Sequence, residues 1–338
     1  MSELSAILAA AAGLEERGEP YALATVVTVR GSSYRRPGAR LLVPAEGAPV
    51  GVISGGCLEK EAARLAREAL RLDAPVLVTV DHSAEGDELW GTGLGCRGVI
   101  ELLAEPPVLA AETLDALRAG LEGRASYLLT ALDGARSNLT ALEAAALGEG
   151  AAMAVAQGRP TLIRNSVLDP ILPPLQLVVC GAGPDAGPLV AAGLRLGWRV
   201  SVFDPRRSLL SGDRFLGAQV YAHDPARAAE MVDAREWTAV VLMSHDYLRD
   251  AAFLGSFIGR EVLYLGVLGP RNRTDRLLAE LDHHLGESDR AALHSPAGLD
   301  IGADGPEEVA TAIVGEILAV VRGRSGRPLR ERPGPIHG

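Results

Sequence analysis
Two of the three cysteines stand in glycine-rich runs. Cys57 lies in Ser54-Gly55-Gly56-Cys57-Leu58-Glu59, where a polar turn leads into an amphipathic segment, which places the thiol at an expected helix N-terminus. That setting lowers a thiol pKa and favours the thiolate, the form that attacks electrophiles and binds soft metals. Cys96 lies in the run Gly91–Gly98, and Cys180 closes an apolar run and reads as a strand-end core residue. A further run, Gly31-Ser32-Ser33-Tyr34-Arg35-Arg36-Pro37-Gly38, sets hydroxyls and arginines on flexible backbone, the ingredients of a phosphate or pterin cradle. Each run alone reads equally as a tight turn. Three together, two of them with cysteine, point to a ligand site. The cysteines lack the paired spacing of a zinc centre, and the adjacent His283-His284 pair sits in an acidic helix end.

A second constellation lies further along. Gly181-Ala182-Gly183-Pro184-Asp185-Ala186-Gly187 follows an apolar run and opens a helical pattern. Gly181 suits the tight turn, Gly183 a close phosphate, and the helix start offers free N–H groups. Asp204 ends the next apolar run at the spacing of a ribose-binding carboxylate, and Arg206 with Arg207 suits a 2′-phosphate. The third glycine, Gly187, comes one place late, and Asp185 sets a negative charge beside the turn. These residues predict NAD(P) binding; the plain reading is tight strand–helix packing. Ser244-His245-Asp246 ends another apolar run, so His245 and Asp246 are candidates for acid–base work, with helix capping as the alternative. Arg271 or Arg273 borders the same crevice and could pair with an anion, with solvated helix charge as the alternative.

The elements that must position these residues follow from apolar patterning. Strands are expected at Ala22–Val29, Pro75–Val80, Val99–Leu103 and Ser126–Ala131, with a helix over Cys57–Leu72 and another over Val108–Leu121. The alanine-rich stretch within 110–165 gives little signal. Asp169-Pro170-Ile171-Leu172-Pro173-Pro174 cannot be regular helix and marks a boundary. Beyond it strands at Leu175–Cys180, Arg199–Phe203, Gln219–Ala222, Thr238–Met243 and Glu261–Leu265 alternate with helices at Pro184–Leu196, Asp246–Ile258, Arg271–Leu285 and Pro306–Val321. The expected fold is α/β: a mixed α/β domain over 1–168, then a Rossmann-like doubly wound parallel sheet over 169–322. An arginine-rich tail, 323–338, is expected to be disordered.

Composition bounds the class. With 338 residues the chain has room for two domains, and 48% apolar with 22% charged residues excludes a wholly disordered protein. The net charge of −10 argues against a dedicated nucleic-acid binder. Lys60 is the only lysine, so an anion site must use arginine, backbone N–H groups and hydroxyls. The segment Leu4–Leu14 lacks a positive flank and carries nearby Glu3, Glu15 and Glu16, so it reads as a first helix rather than a leader. No apolar run is long enough for a bilayer. Unpaired cysteines suggest a reducing compartment, and the expected location is cytoplasmic.

At the glycine-rich runs the chain resembles the molybdenum-hydroxylase accessory proteins, the xanthine dehydrogenase accessory and carbon monoxide dehydrogenase maturation factors (the XdhC/CoxI family). The resemblance rests on Gly31-Ser32-Ser33-Tyr34-Arg35-Arg36-Pro37-Gly38-Ala39, on Ser54-Gly55-Gly56-Cys57-Leu58-Glu59 and on Gly93-Leu94-Gly95-Cys96-Arg97-Gly98. It continues through Gly181-Ala182-Gly183, Met243-Ser244-His245-Asp246 and Pro296-Ala297-Gly298-Leu299-Asp300-Ile301-Gly302-Ala303. Departures are Tyr34 for a common proline, Arg97 for a glycine, and Pro184-Asp185 for His-Val. The resemblance implies a protein that holds the molybdenum cofactor (molybdopterin), supports its sulfuration and passes it to a hydroxylase apoenzyme. It further implies that Gly31, Ser32, Ser33, Arg35, Gly55, Gly56 and Glu59 line the cofactor, and that Cys57 or Cys96 meets molybdenum or sulfur. A cysteine desulfurase is the implied sulfur source and a homodimer the default assembly. An NAD(P)-dependent oxidoreductase built on Gly181, Gly183 and Asp204, or a silent scaffold with a vestigial Rossmann domain, stays open on these residues.

Overall fold
The computed structural model describes residues 3–31, 35–54, 56, 58–81, 98–232, 237–281 and 285–332. It divides into two compact units, the first made of Met1–Pro173 with Leu329–Gly338, the second of Pro174–Pro328. The break falls inside the proline run.

The first unit opens with α1 (Glu3–Arg17), then β1 (Tyr21–Gly31), β2 (Arg40–Pro44), β3 (Val50–Gly51), α2 (Glu59–Leu72), β4 (Val76–Asp81) and β5 (Gly98–Glu105). The five strands form one antiparallel sheet in the order β3-β2-β1-β5-β4. β1 sits at its centre and is buried from Tyr21 through Val27, which explains its unbroken apolar sequence. One face of the sheet is covered by α2, whose Ala62, Leu65, Ala66 and Ala69 pack on Ala22, Ala24, Leu41 and Leu102. The opposite side of α2 is solvated and carries Arg64 paired with Glu61 at 2.8 Å and with Glu68 at 3.2 Å. The helix stops at Asp73, which takes a left-handed conformation.

The rest of the unit contains α3 (Pro107–Leu121), β6 (Ser126–Ala131), β7 (Arg136–Leu139), α4 (Ala141–Ala145), α5 (Glu149–Gln157), β8 (Thr161–Ile163) and β9 (Ser166–Ile171). These four strands form a second antiparallel sheet, β7-β6-β9-β8. The alanine-rich stretch therefore folds as a hairpin and a helix pair. Ala144, Ala151 and Ala154 of the helices bury against Leu168. Two buried ion pairs tie the two sheets. Arg40 of β2 reaches Asp169 of β9 at 2.5 Å, and Arg136 of β7 reaches Glu105 of β5. Arg136 also donates to Leu109 O at 2.7 Å and to the Thr113 and Thr130 hydroxyls. Asp169, at the start of the expected second domain, is thus a strand residue of the first unit.

The second unit runs β10 (Gln176–Cys180), α6 (Ala186–Arg195), β11 (Arg199–Phe203), β12 (Gln219–Tyr221), β13 (Thr238–Leu242), α7 (Tyr247–Phe257), β14 (Tyr264–Val267), α8 (Arg271–Leu281), α9 (Glu287–Ala292), β15 (Leu293–His294) and α10 (Pro306–Val321). All six strands are parallel, in the order β12-β11-β10-β13-β14-β15. Numbered within this unit that is 3-2-1-4-5-6, the Rossmann order. α6 and α10 cover one face through Leu189, Val190, Ile313 and Ile317. α7 covers the other through Phe253, Leu254 and Phe257. Beyond α10 the described part of the tail holds one 3₁₀ turn, Leu329–Glu331.

Candidate functional site
The register of the first sheet brings together the strand ends that flank the three glycine-rich runs. β1 ends at Gly31, which pairs with Gly98 at the start of β5. Asp81 at the end of β4 pairs with Val99. The segments after β1 and between β4 and β5 therefore leave from the same end of the sheet. β3 runs parallel to β1, both being antiparallel to β2, so the segment after β3 departs in the same direction. Glu3 of α1 joins two of the segments: its carboxylate takes Arg35 at 2.8 Å and the Val52 N–H at 3.2 Å.

Ser54 is buried and organises the second segment. It donates its hydroxyl to Glu59 at 2.5 Å and its N–H to the other Glu59 oxygen at 2.8 Å. The same hydroxyl oxygen accepts the Gly56 N–H at 3.1 Å and the Leu58 N–H at 3.0 Å. Burial opposes ionisation of Glu59, yet the Ser54 bonds outweigh it and hold the carboxyl below the usual range. Glu59 and the Gly56 amide, both expected on the cofactor, are thus bonded to Ser54. Ser32, Ser33, Gly55, Cys57 and Cys96 lie outside the described residues, as does His283-His284. Sequence reasoning missed Ser54 as the hub, although its place ahead of a glycine pair was visible. It also missed exposed Arg30 near the end of β1, one residue before Gly31.

In the second unit Gly181, Gly183, Asp204, Arg206, His245 and Asp246 gather at the carboxyl ends of the strands, and Arg271 is exposed at the start of α8. Asp204 is completely buried. Its oxygens accept the Ala182 N–H at 2.8 Å, the Arg206 N–H at 2.9 Å and both arms of the Arg206 guanidinium at 2.7 and 2.8 Å. Burial opposes its ionisation, but these bonds prevail and the carboxyl lies below its ordinary range. Arg214, which sequence reasoning did not single out, donates to the carbonyls of Ala182 and Gly183. His245 Nε2 lies 2.8 Å from Asp185 Oδ2. Asp246 caps α7 by accepting the Arg249 N–H at 3.0 Å, the capping alternative.

The fit to a dinucleotide is poor. The predicted ribose carboxylate and the predicted 2′-phosphate arginine bond each other. Gly187 lies inside α6 against the Arg214 side chain. Gly181 is at φ +119°, and a Cβ there would come within 2.6 Å of the Met243 carbonyl and the Ser244 backbone. Its glycine serves the packing of two adjoining turns. Cys180 is fully buried, and burial with the Asp250 carboxylate keeps its thiol well up, so it is no nucleophile. Among the described residues no cluster of histidine, cysteine and carboxylate could hold a metal ion, and no helix is long and apolar enough to cross a membrane.

Comparison with known proteins decides the family. Residues 14–81 match the model of the XdhC and CoxI family, and residues 177–317 match the XdhC Rossmann domain. A Bacillus subtilis protein, named as a probable subunit of xanthine dehydrogenase, is 30% identical over 327 residues, covering 90% of this chain and 94% of that protein. The chain belongs to the XdhC and CoxI family. An Escherichia coli relative, the "molybdenum cofactor insertion chaperone PaoD", is 27% identical over 90% of this chain and 84% of its own. A crystal structure of a Bacillus halodurans protein described as a xanthine dehydrogenase superposes with a TM-score of 0.72 at 28% identity, covering 98% of both chains. The XdhC and CoxI match spans β1 to β4 and with them the first two glycine-rich segments. The XdhC Rossmann match spans the parallel sheet through most of α10.

Proposed function
We propose that this XdhC and CoxI family member holds the molybdenum cofactor as cargo on its first unit and delivers it to a molybdenum hydroxylase apoenzyme. The observation that supports the reading is the register of the first sheet, which sets the strand ends flanking the three glycine-rich runs at one end of the sheet. The insertion-chaperone name of the Escherichia coli relative and the dehydrogenase name of the Bacillus subtilis one support the same class. The cargo is an anionic pterin with a phosphate and a dithiolene-bound metal. Arg35, held against Glu3, offers guanidinium N–H donors beside the first segment, with Ser33 and Ser32 two and three residues before it, and Cys57 and Cys96 are the soft donors for molybdenum or its sulfur. The cofactor supplies the chemistry and the protein supplies position and shielding. Exchange of an oxo for a sulfido ligand, with a cysteine desulfurase as source, belongs to the same proposal, as do a homodimeric assembly and a cytoplasmic location.

The test is purification of the full chain from a host that makes the cofactor, followed by assay of bound pterin and molybdenum. Wild-type protein is expected to carry both, and Cys57→Ala or Cys96→Ala to lose molybdenum or sulfido loading several-fold. Protein that carries no pterin under these conditions removes the reading. Unchanged loading in both variants removes the thiols from it.

A further inference from the structure
We infer that Ser54 and Glu59 are positioning residues that fix the backbone at Gly56 and Leu58, and that the Ser54 side chain does not touch the cargo. This rests on the cargo reading above. A serine hydroxyl offers one donor and two acceptor positions. At Ser54 all three are in use: the proton goes to Glu59, and the oxygen accepts the Gly56 and Leu58 amides. Glu59 uses one oxygen for that proton and the other for the Ser54 N–H. Ser54 is 2% exposed, so it has neither capacity nor access for a ligand.

The same arrangement says what the clasp does. The two amides held by the Ser54 hydroxyl are those of the residues on either side of Cys57 in sequence. Leu58 is itself anchored in the core against α2, at 2% exposure, so one end of the segment is fixed by packing. Gly56 is exposed at φ +114° with open space where a Cβ would stand, so its glycine is required by backbone conformation rather than by crowding. The segment doubles back so that Glu59, five residues on, meets Ser54. Without the hydroxyl, two amides lose their acceptor and Gly56 is free to sample other conformations. Glu59 acts through Ser54, because an ionised carboxylate can only accept, which leaves the hydroxyl oxygen free to receive the amides.

The experiment uses the full-length chain with Ser54→Ala, Ser54→Thr, Glu59→Ala and Glu59→Gln. Amide hydrogen exchange at Gly56 and Leu58 is followed beside retained pterin. Ser54→Ala and Glu59→Ala are expected to speed exchange of both amides by about tenfold, the loss of one hydrogen bond's protection, while the α2 core stays protected. Pterin retention falls in parallel, and Ser54→Thr, which restores the hydroxyl, restores both. Lost pterin with undisturbed amide protection would show that Ser54 contacts the cargo, and would overturn the inference. So would unchanged exchange in Ser54→Ala. Should that variant not fold, Glu59→Gln carries the test: it keeps length and one accepting oxygen but sets an NH₂ against a donor, so faster exchange is expected and unchanged exchange refutes. The exchange readout needs no cargo, so a failure of the cargo reading appears in wild-type protein and is distinguishable.

Discussion
Asp204 shows how a residue with the right type and spacing can take a different task. It directly follows β11, where a ribose carboxylate would stand, but it is wholly buried and its oxygens already receive the Ala182 amide and Arg206. Spacing was legible because it follows the strand–helix repeat. The occupancy was not, because the partner lies two residues away and its geometry depends on the turn after β11. The bonds depress the Asp204 carboxyl, so the folded state binds its proton more weakly than the unfolded chain. The stabilisation is therefore complete above the ordinary aspartate range, near ~4, and is lost as pH falls through the lower folded value. Asp204→Asn is expected to cost about 1–3 kcal/mol at neutral pH. The gap to wild type should close as the solution is acidified, which urea unfolding across the pH range reads directly. A gap that is absent at neutral pH, or that persists undiminished in strong acid, refutes this account.

At the scale of elements, the parallel strands were the most legible part. β10 and β13 carry unbroken apolar runs, Leu177–Cys180 and Ala239–Leu242, and β11 buries Val200, Val202 and Phe203 around Ser201, because both of their faces are covered. α4 and α5 were hidden by alanine, which suits helix, turn and core alike and leaves no period to count, and β7 is a short, largely polar strand with no apolar alternation. β15 is too short to show one. The glycine turn between β10 and α6 separates two readings of the same motif. Gly181 meets the backbone of the β13–α7 turn, whereas a Cβ on Gly183 would touch the His245 ring at an ordinary 3.5 Å. Gly181→Ala is expected to destabilise the second unit by about 2–4 kcal/mol, from a backbone clash and a strained φ together. Gly183→Ala should stay within about 0.5 kcal/mol. A phosphate-binding role would show no such difference in stability, and both variants would weaken a bound dinucleotide instead. Thermal unfolding of the two variants, with and without NADPH, distinguishes the cases.

Over the whole molecule, a net charge of −10 is compatible with the proposed anionic cargo because charge acts locally. Salt screens exposed charges beyond about 10 Å, so exposed Arg30 near the end of β1 counts for more than distant carboxylates, whereas Arg35 is already offset by Glu3. The composition argues against a dedicated nucleic-acid binder, but it could not say which unit carries the proposed site, which is argued from strand register in the first sheet. The two units have separate cores. Leu102, Leu41 and the α2 alanines serve one, and Leu177, Val241 and Ile313 serve the other. A fragment spanning 174–328 is therefore expected to unfold cooperatively on its own, with the far-ultraviolet signature of an α/β sheet. It should retain no pterin, because all three glycine-rich segments stay behind in the first unit. Dinucleotide titration of the same fragment should show no saturable binding while Asp204 and Arg206 hold each other. If the fragment alone captures the pterin, the cargo contacts belong to the parallel sheet, and the site would have to be rebuilt around Arg214 and the turn it covers.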